Sequence, residues 1–396
     1  MHKKVMDTLL EFSLPLIGGV FLAVVWANID PDSYHHLMEM SLLGNWFPLG
    51  ESHPINFHWV MNDLFMVLFF GIAAKEITES CLPGGALNPM RKAINPLFGT
   101  LGGVLGPVAV YFAYTAWTGA DEISRGWGIP TATDIALAWL VAKIVFGKSH
   151  PAVSFLLLLA VADDGIGLGI IAVFYGDPNN PAAPGFLLLV AGAMALAFAM
   201  RKKGINNFWP YVLGPGVLSW LGLMMAHLHP ALALVFVVPF MPAPLSDEGL
   251  FAEDGEGSVG HKADTLNSFE HFFKFPVDIG LFGFGLANAG VAFSSVGHAT
   301  WAVFFGLLFG KTIGIFGFSA FAHMIGFSLP KGMDFKVLMV TGVIAGLGLT
   351  VALFVAGVAF TDPGIEGAAK MGALLSAGIA PFAIMLGVAL RIKKAR

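Results

Sequence analysis

The chain has 396 residues, of which 56% are hydrophobic and only 12% charged, with a mean hydropathy of +0.77. A soluble domain carries about 25% charged residues, so this chain has too few to cover a water-facing surface of its size. That excludes a soluble enzyme, a nucleic-acid binder and a disordered chain, and leaves an all-α polytopic membrane protein. The net charge of −5 says little by itself, because the position of each charge matters more than the sum. The single cysteine, Cys81, excludes an intrachain disulfide and a multi-thiolate metal site.

A helix needs about 20 apolar residues to cross the hydrocarbon core. On that criterion twelve spans are predicted, at about 12–30, 57–79, 95–117, 122–146, 151–176, 185–200, 206–225, 228–242, 273–291, 299–325, 336–360 and 366–391. The start, Met1-His2-Lys3-Lys4, superficially suggests a signal peptide, but the apolar run is long and no Ala-x-Ala pattern follows closely. It is read as a retained first span. Turn signals separate most spans, among them Pro83-Gly84-Gly85, Asp177-Pro178-Asn179-Asn180-Pro181 and Asp362-Pro363-Gly364. The break between 225 and 228 is weak.

Charge distribution supports the count. With the N-terminus inside, all but Arg125, Lys370 and Lys311 of the 21 Lys and Arg fall on cytoplasmic loops and ends, as the positive-inside rule requires. The loops at 31–56, 177–184, 292–298 and 361–365 hold no Lys or Arg. The loop at about 243–272 is polar and acidic, with Asp247, Glu248, Glu253, Asp254 and Glu256, and reads as a flexible cytoplasmic linker. The outer loop 31–56, with Trp46, Pro48 and Pro54, is expected to be ordered as a hairpin.

An ionisable side chain near the bilayer centre costs several kcal/mol and marks function by default. Asp134, Asp163 and Lys311 each lie 12 residues into their spans, and Asp164 is beside Asp163. At 1.5 Å per residue this is about 18 Å from each helix start, close to the midplane of a core about 30 Å thick. Three acids and one lysine cannot all pair, so protons or a mobile cation must balance the surplus. Low dielectric and a like charge both disfavour ionised carboxylates. Protons and a hard cation therefore compete for the Asp163–Asp164 pair, which is the physical basis of exchange.

Two stretches near these residues are expected to be broken. One is Gly128-Ile129-Pro130-Thr131-Ala132-Thr133-Asp134, where Pro130 removes a backbone donor. The other is Gly346-Leu347-Gly348-Leu349-Thr350. They fall in spans 4 and 11, the middle members of spans 3–5 and 10–12. Interrupted helices at matching places point to an inverted-repeat transporter with a midplane site. Asp134 would offset the two positive helix ends there and Lys311 the two negative ones.

At these residues the sequence resembles the NhaA-type sodium/proton antiporter family. The matching segments are Gly126-Trp127-Gly128-Ile129-Pro130-Thr131-Ala132-Thr133-Asp134-Ile135-Ala136, Ala162-Asp163-Asp164, Ala287-Asn288-Ala289-Gly290-Val291, Gly310-Lys311 and Gly346-Leu347-Gly348-Leu349-Thr350, in family order. The resemblance runs from about residue 12 to the C-terminus. It implies one membrane domain over 1–396, with twelve helices and unwound, crossing spans 4 and 11. The core bundle would be about 95–176 and 299–391, and the panel or dimer part about 12–79 and 185–291. It implies Asp163 and Asp164 as the Na+ and proton site, Asp164 being the stronger ligand, with Thr133 near the cation. Lys311 would pair with Asp163 when the cation is absent.

The implied activity is electrogenic exchange of internal Na+ or Li+ for external protons, without cofactor, in pH homeostasis. The implied setting is a homodimer in the bacterial inner membrane, both termini cytoplasmic. Glu76 falls where the family has an acidic residue at a cytoplasmic funnel, although Ala73-Ala74-Lys75-Glu76-Ile77 departs from the usual surroundings. Glu270-His271 resembles a pair linked to pH sensing, and His229 resembles the histidine before span eight.

Other classes fit less well. Asp163-Asp164-Gly165-Ile166-Gly167 lacks the third acid of an Asp-Asp-x-x-Asp metal motif and the Gly-x-Gly-Asp order of membrane proteases. A channel would not need Lys311 at the depth of the acids. A sodium-coupled solute symporter is the nearest rival.

Overall fold

The computed structural model describes residues 14–42, 55–83, 85, 87–88, 90–176, 181–243 and 264–395. Lys3, Lys4, Trp46, Pro48, Pro54, Asp177, Lys262, Arg396 and the acidic run of Asp247, Glu248, Glu253, Asp254 and Glu256 lie outside the described residues.

Among the described residues, besides a 3-10 turn at Phe293–Ser295, fifteen helical elements follow one another: α1 (Leu14–Ile29), α2 (Pro31–Glu39), α3 (Phe57–Ser80), α4 (Met90–Thr118), the 3-10 helix α5 (Asp121–Thr131), α6 (Ile135–Phe146), α7 (Pro151–Phe174) and α8 (Pro184–Lys202). Then come α9 (Phe208–Met225), the 3-10 element α10 (Pro230–Phe240), α11 (Thr265–Asn288), α12 (His298–Met324), α13 (Phe335–Ala345), α14 (Leu349–Ala359) and α15 (Pro363–Ala389). Among the described residues there is no strand, only an isolated bridge between Ser41 and Asn56. That bridge closes the outer loop, whose first part is the helix α2 rather than a strand.

Among the described residues seven helices are long and apolar enough to cross a membrane, or nine if each of two bent pairs is one span. This is fewer than the twelve expected. α1 and α10 are apolar but short, and α11 carries Glu270, Lys274 and Asp278. Large apolar side chains face outward along the bundle, Trp117, Leu188 and Val388 among them. With so few charges beside them, such a surface suits hydrocarbon.

Short polar residues start the helices. Asp264, Asp334 and Asp362 each accept backbone N–H groups at the starts of α11, α13 and α15, satisfying donors that helix geometry leaves orphaned. Asn56, Asn207, His150 and His229 do the same for α3, α9, α7 and α10.

Two features set the centre of the bundle. First, α4 and α12 approach backbone to backbone. A Cβ on Gly106 would strike the Gly310 carbonyl, and one on Gly314 would strike the Gly102 carbonyl, so only glycine fits there. Second, two helix pairs bend. α5 and α6 meet at 59°, and α13 and α14 at 46°. Between them the chain leaves helical geometry at Ala132–Asp134 and at Leu347–Gly348. The two breaks touch: Asp134 N–H donates to the Leu347 carbonyl at 2.6 Å. Beside them, α7 and α14 are among the most enclosed helices.

Candidate functional site

Asp163 projects from the buried face of α7 with no solvent exposure, and Lys311 meets it from α12, equally buried. Lys311 opens the second α-helical part of α12, directly after a π-helical turn over Gly306–Gly310. Such turns shift the register of a helix face and are common at functional sites. Gly310 lies against Pro107 of α4, so the backbone sits deep enough for the long lysine stem to reach the centre.

Lys311 Nζ donates to Asp163 Oδ2 and also to Thr133 Oγ1 at 2.8 Å. The Thr133 hydroxyl is in turn 2.8 Å from Asp163 Oδ2 and 2.9 Å from the Ala345 carbonyl. One side chain from the first break thus joins α7, α12 and the end of α13. Asp163 Oδ1 has no hydrogen-bond partner among the described residues.

Asp134 occupies the positive ends of two helices. Its Oδ1 accepts the Leu137 N–H at 3.1 Å at the start of α6. Its Oδ2 accepts the Thr350 N–H at 3.3 Å and the Thr350 hydroxyl at the start of α14. Half-charges at two N-termini are thereby met by one carboxylate. Gly346 and Gly348 allow this contact: a Cβ on Gly346 would lie 2.6 Å from the Leu307 carbonyl, and one on Gly348 2.6 Å from the Leu307 side chain.

Asp164 faces away from that cluster. It lines a cavity of about 10 Å³ with Phe69, Phe70 and Ala73 of α3, Leu168 and Ile171 of α7 and Val351 of α14. That is space for about one water. Asp164 Oδ1 also lacks a protein partner. The two adjacent carboxylates, about 100° apart around α7, therefore meet different neighbours.

The remaining expected residues lie in separate places. Glu76, half-buried on α3, is within electrostatic range of Asp164. Glu270 on α11 pairs with the buried Lys75, which also meets Glu79 at 2.7 Å. His271 is exposed beside this group. His229 caps α10 through the Ala231 N–H at 3.3 Å, and its ring packs against Phe354 at 4.8 Å between centroids.

Sequence reasoning missed Phe70 and Phe354, whose rings meet at 5.1 Å beside the Asp164 cavity. Nothing distinguishes them from the other phenylalanines of the chain by composition. It also passed over Lys75, counted only as a loop-end charge. The departure at Ala74-Lys75-Glu76 was the signal that could have found it.

Among the described residues no group of three or more His, Cys, Asp and Glu is placed to hold a metal ion. A hard cation at Asp163 and Asp164 would take its other ligands from hydroxyl, carbonyl or water oxygens.

Comparison with known proteins places the whole chain in a family. Residues 4–389 match the family described as Na+/H+ antiporter 1. The chain is 57% identical over 395 residues to the Na(+)/H(+) antiporter NhaA of Geobacter sulfurreducens, covering all of both chains. It is 56% identical over 396 residues to that of Desulfitobacterium hafniense, covering 100% of this chain and 98% of the relative. In structure it resembles the sodium proton antiporter MjNhaP1 of Methanocaldococcus jannaschii, with a TM-score of 0.54 and 15% identity, covering 96% of this chain and 92% of that one. At that identity the likeness concerns the fold alone.

Proposed function

The chain belongs to the Na+/H+ antiporter 1 family, and from that premise we propose that it exchanges internal Na+ or Li+ for external protons at Asp163 and Asp164. The observation that carries this reading is the state of the aspartate pair. One oxygen of Asp163 is held by Lys311 and Thr133, while Oδ1 of each aspartate is buried without a protein partner. A buried polar atom without a partner is costly, and both a proton and a hard cation would relieve it. They cannot do so at once, because a carboxylic acid offers poor ligands to a cation.

The cycle follows from that competition. Lys311 neutralises Asp163 while no cation is bound. Na+ entering through the Asp164 cavity displaces protons from the pair, with Thr133 Oγ1 as an uncharged ligand. Lys311 is then released from Asp163 and gives up its proton, and the contacts between α5–α6 and α13–α14 rearrange to open the other side. Asp134 holds the two helix N-termini together through the change. Returning protons restore the original state, and more protons enter than cations leave, so exchange is electrogenic.

The same reading has twelve spans, counting α1, α10 and α11 and treating each bent pair as one. Spans 3–5 and 10–12 are inverted repeats whose unwound middle members cross. The core is about 95–176 and 299–391; the panel, about 12–79 and 185–291, carries the homodimer contact. The protein lies in the inner membrane with both termini in the cytoplasm, as the distribution of Lys and Arg supports. Glu76 lies at the inner funnel, and the Lys75–Glu79–Glu270 cluster takes the place of pH sensing.

Direct competition is measured in detergent solution with little buffer. Adding Na+ to the wild-type protein releases protons, and Asp164→Asn releases far fewer. Na+ binding without proton release would contradict the shared site.

A further inference from the structure

Two buried polar atoms without protein partners lie in another part of the bundle. Asn95 on α4 and Ser319 on α12 are 3% and 0% exposed, and neither Asn95 Oδ1 nor Ser319 Oγ has a hydrogen-bond partner. The Asn95 amide cannot be turned around, because its Nδ2 donates to the Ser319 carbonyl at 3.1 Å and to the Phe327 carbonyl at 2.6 Å. Its Oδ1 is therefore fixed as an acceptor facing the interior. Rotation of Ser319 onto its own helix would satisfy the hydroxyl but leave Asn95 Oδ1 unmet. Gly99, one turn from Asn95, lets the Ser319 hydroxyl lie close against α4: a Cβ there would lie 2.7 Å from Ser319 Oγ.

The position of this pair links it to the ion site. Ser319 is eight residues from Lys311 on α12, and Asn95 eight from Gly103 on α4, about 12 Å along each helix. Gly103 is the α4 residue that faces Asp163: a Cβ there would lie 4.0 Å from the unpartnered Oδ1. Between the two levels, Thr100 Oγ1 lies 3.1 Å from the Pro96 carbonyl on α4 and 3.3 Å from the Leu159 carbonyl on α7. Asp163 Oδ1 thus opens toward α4, where polar atoms recur at Thr100 and then at Asn95 and Ser319. Asp164 opens toward α3 instead.

We propose that Asn95 Oδ1 and Ser319 Oγ hold buried water, and that this water, with Thr100, gives the Lys311–Asp163 pair a proton route between α4, α7 and α12 separate from the Asp164 cavity. A water donates to Asn95 Oδ1 and accepts from the Ser319 hydroxyl, satisfying both atoms. In the proposed topology the outer end of this route lies on the cytoplasmic side, under the exposed turn at Ile325 and Gly326. The proton that Lys311 gives up when Na+ takes Asp163 leaves by it without crossing the cation's path. The inference rests on the antiporter reading above.

Hydration is tested by a single-cysteine experiment. Cys81 is the chain's one cysteine, so Cys81→Ser gives a background in which Ser319→Cys is the sole thiol. Ag+ is small enough to follow water and reacts with thiolate. Added to the cytoplasmic face of inside-out vesicles, it is expected to inhibit Ser319→Cys rapidly. It should spare Ala322→Cys, which replaces a residue equally buried on the same helix. Equal, slow reaction of both would overturn the hydrated site.

The route is tested in proteoliposomes with Thr100→Val and Ser319→Ala. Maximal Na+-driven proton flux should fall roughly tenfold, part of the ~10²–10⁴ that positioned proton-transfer groups supply. The half-saturating Na+ concentration should stay unchanged, the flux ratio between H2O and D2O should rise, and Thr100→Ser should restore the flux. Wild-type flux and isotope ratio in both variants would overturn the route while leaving the exchange reading intact. Absence of Na+-driven flux in the wild type would overturn both.

Discussion

Lys311 and Asp163 form a fully buried ion pair, joined by Thr133 from the break between α5 and α6. The pair contributes little net stability by existing, because both ions lost their water. In the proposed cycle its value is that a cation can take the place of Lys311 at Asp163.

Lys311→Ala should therefore destabilise the resting protein, by about 3–5 kcal/mol if Asp163 stayed charged and unpaired. Asp163 can take a proton instead, which would reduce that figure. Na+ binding to Asp164 should persist while the ratio of protons to Na+ falls. Thermal melting and calorimetric titration with Na+ check this. Complete loss of Na+ binding in a stably folded Lys311→Ala protein would contradict the assignment.

Asp134 should behave differently. Asp134→Ala removes one cap from α6 and another from α14, each worth ~1 kcal/mol. It also leaves the Thr350 hydroxyl without its partner. Melting temperature should drop, whereas Asp134→Asn, which keeps one acceptor oxygen, should recover part of the loss. An unchanged melting temperature in Asp134→Ala would refute the capping role.

His150 gives a pH dependence whose sign is fixed by geometry. Its Nδ1 accepts the Ala152 N–H at 3.1 Å at the start of α7, which requires a neutral ring. Burial pushes its pKa below the ordinary histidine range, and Asp334 partly opposes that. The folded protein thus binds fewer protons here than the unfolded chain. The stability His150 contributes is present above the unfolded value of about 6.5 and is lost as pH falls below it. His150→Asn, a good cap that does not titrate, should flatten the melting curve's pH dependence in that range. Equal slopes for both proteins would exclude His150 as the source.

The α4–α12 contact predicts a steric effect. Gly106→Ala and Gly314→Ala each place a methyl against backbone, and overpacking of this kind typically costs about 1–3 kcal/mol. Either should lower the melting temperature and loosen the Lys311–Asp163 pair. Gly317→Ala, with nothing within 4 Å of its Cβ, should not. Equal melting of all three would show that the helices do not rely on this approach.

The cluster on α3 and α11 predicts a regulatory effect. Glu270→Gln takes one of two carboxylates from the buried Lys75 and should move the pH profile of exchange. His271→Ala, removing an exposed side chain, should leave it in place. The opposite ranking would reassign the sensor.

Much of the site could be read from the chain because charge is so rare in it. Asp134, Asp163, Asp164 and Lys311 stand out against apolar surroundings at one depth, and Pro130, Gly346 and Gly348 mark the broken stretches. The pairing of Lys311 with Asp163 was expected only from the family resemblance, because the π-helical turn at Gly306–Gly310 that precedes Lys311 is encoded in no hydropathy pattern. That Asp163 and Asp164 face different neighbours follows from the ~100° step between adjacent helix residues, but which neighbour each meets does not. Span counting was limited by α10, a short 3-10 element, and by the charges on α11.

The central claim is tested most directly by fluorescence dequenching in acid-loaded vesicles on addition of Na+ or Li+, wild type beside Asp164→Asn. The account predicts dequenching with the wild type and none with the variant. Equal responses from the two, with both proteins folded and inserted, would remove the aspartate pair from the exchange.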